Sequence, residues 1–168
     1  DLYFVLMDKA GNYSEPKALK GVKTLDKTAP VASMDFDKVL EGNPLVSSNI
    51  SVTFDEIVYY DGAEKDIRLT QVPADQKADV LKSMFSVHDL LSPSKPDYLA
   101  DIDYDKVVIG EKDGKTVVTF PQEAFGGGTG LNSGGIYQFE LNNVVDSDGN
   151  AMSQATLLKS FKIVAPQV

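Results

Sequence analysis

Three oxygen-bearing residues, Asp146, Asp148 and Asn150, stand at the first, third and fifth positions of the segment Asp146-Ser147-Asp148-Gly149-Asn150. That spacing lets carboxylate and carbonyl oxygens converge on a hard cation. They are the candidate metal ligands of the chain, and calcium is the candidate ion. An EF-hand further needs Gly at the sixth position and an acid at the twelfth. Here those positions hold Ala151 and Leu157, so that form is excluded. What remains is a turn, because Gly and Asn tolerate positive φ and close tight connections between antiparallel strands.

The other chemistry-bearing residues are more isolated. His88 is the only histidine, next to Asp89. Adjacent strand residues point to opposite faces, so Asp89 does not orient His88, and a surface or edge histidine is expected. The run Gly126-Gly127-Gly128-Thr129-Gly130-Leu131-Asn132-Ser133-Gly134-Gly135 looks like a phosphate loop in composition only. No Lys-Ser/Thr follows it and its flanks are strands, so a mobile strand connection is expected. Asp35 with Asp37, and Asp101 with Asp103 and Asp105, alternate as solvated strand faces do. Tyr59, Tyr60, Tyr98 and Tyr104, if exposed together, are a platform for stacking sugars. No Ser-His-Asp set, supported carboxylate pair or cofactor fingerprint is present, so no catalytic residue, no cofactor and no enzyme activity are expected.

Composition narrows the class. The chain has 168 residues, 42% hydrophobic and 24% charged, with 25 acidic against 16 basic residues and a net charge of −9. Those are values of a globular protein with a core. The negative charge repels nucleic acid and anionic membrane surfaces. The absence of cysteine excludes disulfide scaffolds, zinc–thiolate sites and a Cys nucleophile. No apolar run approaches the roughly 20 residues that span a bilayer, so no membrane insertion is expected. Asp1 to Asp8 lacks the basic start and cleavage site of a signal peptide, and the chain is expected to be a piece of a larger protein.

A repeat organises the elements that must position these residues. Asp8-Lys9-Ala10-Gly11-Asn12 matches Asp146-Ser147-Asp148-Gly149-Asn150 at an offset of 138, and Ala29-Pro30 matches Ala165-Pro166 at 136. Each turn follows an apolar run and precedes another strand candidate, Lys17–Leu25 and Thr156–Val164. The first copy has Ala10 where a second Asp would stand, so the turn persists without the ligand set. Residues 1–27 therefore read as the terminal hairpin of a preceding repeat, or as edge strands of this one. Residues 28–166 read as one full repeat. Within it, Ile50, Val52 and Phe54 alternate with polar residues, as do Tyr137, Phe139 and Leu141. Lys106–Ile109 and Lys115–Phe120 flank a four-residue connection, Glu111–Gly114. Phe161 and Ile163 are expected to face one way. Ala74, Ala78, Leu81 and Phe85 recur at helical spacing after Pro73, predicting one short helix inside an elaborated connection, residues 61–105. Ser92-Pro93-Ser94-Lys95-Pro96 is then a stiff loop. Short strands without a βαβ rhythm predict an all-β antiparallel sandwich with one short inserted helix.

Three stretches carry a resemblance. Asp26-Lys27-Thr28-Ala29-Pro30, the strand Asn49-Ile50-Ser51-Val52-Thr53-Phe54-Asp55-Glu56-Ile57-Val58, and Gly135–Phe139 with Asp146–Asn150 are similar to the junction, an early strand and the last hairpin of bacterial immunoglobulin-like domains of S-layer proteins and adhesins. The resemblance implies an immunoglobulin-like sandwich at an extracellular location, the cell surface or wall. It implies a non-catalytic spacer or adhesion module whose partners are neighbouring repeats, with host protein or polysaccharide as further partners. The alternative is a carbohydrate- or protein-binding accessory module of a secreted enzyme.

Overall fold

The structure, a computed structural model, describes residues 2–21, 25–63, 65–91 and 100–167. In chain order the strands are β1 (Leu2–Phe4), β2 (Lys17–Leu19), β3 (Ala32–Phe36), β4 (Val39–Leu40), β5 (Asn43–Pro44), β6 (Ile50–Phe54), β7 (Tyr59–Tyr60) and β8 (Ile67–Arg68). After the helix α1 (Lys77–Met84) follow β9 (Phe85–Asp89), β10 (Val108–Lys112) and β11 (Lys115–Phe120). The chain then forms β12 (Ile136–Leu141), β13 (Val144–Val145), β14 (Thr156–Leu157) and β15 (Phe161–Lys162). The protein is mostly β, built from several antiparallel sheets, with one α-helix among the described residues.

Two four-stranded sheets form the larger part of the body, beside the three-stranded sheet β13-β7-β8 and the pair β4-β5. In one, the order is β10-β11-β6-β3, every neighbour antiparallel. In the other, β12 is central: β9 pairs along one edge, and β14 and β15 pair in succession along the other. Strand alternation puts Ile50, Val52 and Phe54 of β6 on the same face as Val118 and Phe120 of the neighbouring β11, and all five are fully buried. Opposite them stand Phe85 and Val87 of β9 and Phe139 and Leu141 of β12. The rings interlock across the layer, Phe120 lying 5.3 Å from Phe85 and 5.1 Å from Phe139, both edge-on. Burying each such ring contributes about 1.5–3 kcal/mol, as does each Ile, Val and Leu buried beside it.

The helix starts later than its spacing predicts. Pro73 opens a turn whose carbonyl accepts from the Gln76 amide at 3.0 Å, and α1 begins at Lys77. Its buried face is Val80, Leu81 and Met84, whereas Ala74 is exposed. The helix passes directly into β9, Phe85 being already extended. Residues 61–105, expected to be an elaboration, thus deliver a full-length strand to the second sheet. Ser92–Pro96 and Tyr98 lie outside the described residues.

Two further expectations are corrected locally. The β10–β11 connection has two residues, not four, since Glu111 and Lys112 pair with Thr116 and Lys115. Asp113 and Gly114 have φ of +52° and +73°, the geometry that matches strand twist in a two-residue hairpin. Thr156–Val164 is interrupted into β14 and β15, although Phe161 and Ile163 are both buried as expected.

The N-terminal hairpin differs from all this. Among the described residues β1 and β2 pair only with each other, and every described residue from Leu2 to Gly21 is exposed.

Candidate functional site

The turn after β13 lies at one pole of the body, together with the linker that leads into β3. Asp146, only 2% exposed, organises it. Its Oδ1 accepts the backbone N–H groups of Asp148 and Asn150, each at 2.8 Å, and its Oδ2 accepts Asn150 Nδ2 at 2.7 Å. The Asp146 amide donates to the Asn150 carbonyl at 3.1 Å, and Gly149 closes the loop at φ +85°. Burial by itself raises the Asp146 carboxyl. The donors from Asn150, Asp148 and Gly149 outweigh it and hold the group below the ordinary aspartate value. The three candidate calcium ligands are therefore brought into one turn, where the Asp146 oxygens accept N–H groups. Among the described residues no group of three or more His, Cys, Asp or Glu is arranged to hold a metal.

The remaining two residues of the set hold the linker. Asp148 Oδ2 accepts the Asp26 amide at 3.3 Å, and Asn150 Nδ2 donates to the Asp26 carbonyl at 2.9 Å. Asp26 in turn accepts the Thr28 amide at 2.9 Å. Five residues on from Asp26, Val31 exchanges bonds with Asp55, donating to its Oδ1 at 2.8 Å and accepting from its amide at 3.0 Å. Pro30 between them is buried. Lacking an N–H and fixed in φ, it leaves no donor unpaired there. The junction Asp26–Val31 is thus fastened at both ends to the body. The Asp55 contribution has no signal in the sequence, where Asp55 stands only within the strand Asn49–Val58.

Acidic groups crowd this pole. Glu56 is raised from its ordinary value, first by burial and then by repulsion from Asp146, Asp55, Asp26 and Asp148. A second polar cluster has its own partners: Glu111 accepts Arg68 Nε at 2.6 Å and Nη2 at 2.5 Å, and Thr70 Oγ1 at 2.6 Å. The Arg68 bonds, helped by Thr70, pull the Glu111 carboxyl down to about 2. This cluster ties β8 to β10 and had no local sequence signal.

The same turn occurs a second time, in the exposed hairpin. Asp8 Oδ1 accepts the amides of Ala10 at 2.8 Å and Asn12 at 2.9 Å, and Asp8 Oδ2 accepts Asn12 Nδ2 at 3.0 Å. The Asp8 amide donates to the Asn12 carbonyl at 2.9 Å. Strand register follows the same offset of 138: Leu2↔Leu19 and Tyr3↔Ala18 match Glu140↔Leu157 and Leu141↔Thr156. The bridge Met7↔Tyr13 matches Val145↔Ala151, and the bond from Ser14 N to Leu6 O matches that from Met152 N to Val144 O.

The other candidate residues are dispersed. His88 Nε2 lies 2.7 Å from Glu140 Oε2 across the β9–β12 pair, and Asp89 instead accepts the Leu91 amide at 3.0 Å. Glu140 is held below its ordinary value, first by Asn142 and then by His88. Asp37 accepts from Ser48 Oγ and the Asn49 amide, and Asp103 from the Asp105 amide, so these acids cap turns rather than form rows. Asp35, Asp101 and Asp105 are exposed. Tyr59 and Tyr60 are consecutive in β7, and Tyr104 donates to the Phe85 carbonyl at 2.5 Å. Those three tyrosines are half-buried and form no exposed platform. The glycine run is tied down along its length: Gly126 donates to the Asp101 carbonyl, Gly130 to that of Phe125 and Gly134 to that of Ile163. A Cβ on Gly135 would stand 2.6 Å from the Tyr137 ring, which explains that glycine.

No protein-family model, no curated protein and no solved structure matches the chain.

Proposed function

We propose that the chain carries a non-catalytic, immunoglobulin-like β-sandwich repeat that spaces or presents neighbouring modules of an extracellular bacterial surface protein. One observation carries this reading. The same hairpin occurs twice at a fixed offset, in the same register and with the same turn hydrogen bonds. Repetition of the closing hairpin at that offset supports a chain of tandem modules. The pinned linker adds to the reading, since a junction fastened at Asp26 and Val31 limits bending between units. Antiparallel strands crossing the full body are suited to bear load, because β12 is held by β9 on one edge and by β14 and β15 on the other.

Pulling the chain between terminal handles tests the mechanical role. Residues 28–166 should open in one event, lengthening the chain by on the order of 45 nm, at about 3.6 Å per residue. Gradual extension without a force peak sinks the load-bearing role. Labelling of intact source cells by antibodies against the chain tests the location, and labelling only after lysis rejects it.

A further inference from the structure

The hairpin β1–β2 is the same hairpin as β12–β14, and its surroundings are missing. In the second copy, the edge of β12 away from β14 carries β9, with Leu141 opposite Phe85 and Glu140 opposite Ser86. The Asn142 amide continues that edge by donating to the Met84 carbonyl at 2.9 Å. Shifted by 138, these positions are Tyr3, Leu2 and Phe4. Among the described residues the corresponding edge of β1 has no neighbour. Behind it the second copy buries Val144 and Val145, at 0% and 4% exposure, where the first copy leaves Leu6 and Met7 at 68% and 62%. An unpaired strand edge beside a contiguous apolar surface is an adhesive feature that proteins normally cover.

Charge and side-chain type specify the cover. Residues 1–27 hold five lysines against four acids, whereas residues 28–138 hold nine basic against eighteen acidic residues. The hairpin lacks the acidic excess of such a body, so docking it does not set like charges against each other. The first copy also has Leu2, Phe4 and Val5 where the second has Glu140, Asn142 and Asn143, so the face of the edge that meets Ser86 in the second copy is more apolar in the first.

We propose that the free edge of β1, backed by Tyr3, Leu6 and Met7, is the docking site for an antiparallel strand of the β9 kind. That strand belongs to a body built like residues 28–138, which holds the first sheet and β9 but lacks the hairpin that completes its second sheet, and which is placed ahead of this one in the chain. The inference rests on the repeat reading above and names its partner and the register of the contact: Phe85 of the partner body opposite Tyr3, and Ser86 opposite Leu2.

The test extends the intact 168-residue chain at its N-terminus with a second copy of residues 28–138, joined so that position 138 of the extension precedes Asp1. Amide hydrogen exchange at Leu2–Phe4 and Leu6–Met7 should slow by about 100-fold relative to the unextended chain. Val87→Pro in the extension alone, which removes the docking strand, should restore fast exchange. Unchanged exchange in the extended chain, or protection that survives Val87→Pro, overturns the docking site. A matched hairpin, carrying Leu2→Glu, Tyr3→Leu, Phe4→Asn and Val5→Asn, controls for folding of the extension. Protection of the matched hairpin without protection of the native one overturns the proposal on specificity, and protection of neither overturns the equivalence on which it rests. The repeat reading is judged separately, by the force-extension trace of the body.

Discussion

Two copies of one hairpin, in one molecule, occupy opposite environments. Both turns bind the Asp side chain to the same backbone donors, and both place Gly at φ near +85°, with Gly11 at +88° and Gly149 at +85°. One turn has a nearly buried aspartate and forms part of the body, whereas the other is exposed throughout. The geometry of the turn is therefore a local property, written by Asp, Gly and Asn within five residues. Whether the turn stabilises anything beyond itself is a property of what lies against it.

The largest test of that contrast places a charge at matched positions. Val144→Asp buries a carboxylate among the core strands with no partner, and should cost about 4 kcal/mol or more. That lowers the melting temperature by about 10 °C for a body of this size. Leu6→Asp, at the position 138 residues earlier, should stay within about 0.5 kcal/mol, because the side chain already meets water. Calorimetry of the two variants decides it, and equal losses would show that the hairpin is part of the same cooperative unit. Removing the turn aspartates comes next. Asp146→Ala leaves the amides of Asp148 and Asn150 without their acceptor in a closed turn, a loss of about 2–3 kcal/mol. Asp8→Ala should leave the melting temperature of the body where it is.

The contrast also explains what was legible in the sequence. Alternation at Ile50, Val52 and Phe54, and at Tyr137, Phe139 and Leu141, reports burial directly because strand period and side-chain direction are local. The turn was readable for the same reason. The helix face was not, because Val80 and Met84 are buried by the sheets they meet and Ala74 by nothing. His88 and Asp89 read as strand residues, but the start of β9 was hidden, since Phe85 leaves the helix without a turn residue to mark the change. The linker latch was beyond reach as well. Asp26 meets Asp148 across 122 positions and Val31 meets Asp55 across 24, and neither pairing has a periodic signature.

Acid titration sharpens the comparison on one type of group. Asp146 and Asp8 are both held below the ordinary aspartate value, Asp8 chiefly by its bonds from Asn12. A carboxyl lowered by folding stabilises the folded form above its unfolded value, and that contribution disappears as pH falls through the folded value. For Asp146 the loss falls on the body, so the urea midpoint should drop as pH goes from about 5 towards 2. Asp146→Asn should flatten that decline. Asp8→Asn should not, because its titration is coupled only to opening of the exposed hairpin. A decline of equal steepness in both variants would mean that Asp146 is not coupled to unfolding of the body.

The smallest effect lies beside the buried turn and has the opposite sign. Glu56 is raised, first by burial and then by Asp146, Asp55, Asp26 and Asp148. A carboxyl raised by folding favours the folded state below its unfolded value and opposes it as pH rises through the folded one. At neutral pH the ionised Glu56 is therefore a cost, and Glu56→Gln should increase the melting temperature slightly at pH 7 and leave it unchanged near pH 3. The hairpin copy, residues 1–27, corresponds to residues 139–165 and contains no counterpart of Glu56, so only the pole with the pinned linker should respond. Calcium gives the same pole a second readout. Because the Asp146 oxygens already accept backbone amides, millimolar calcium and EDTA should give equal melting temperatures in the native chain. A rise with calcium that disappears in Glu56→Gln would instead show the five acids acting together on a cation, with the turn rearranged to free its oxygens.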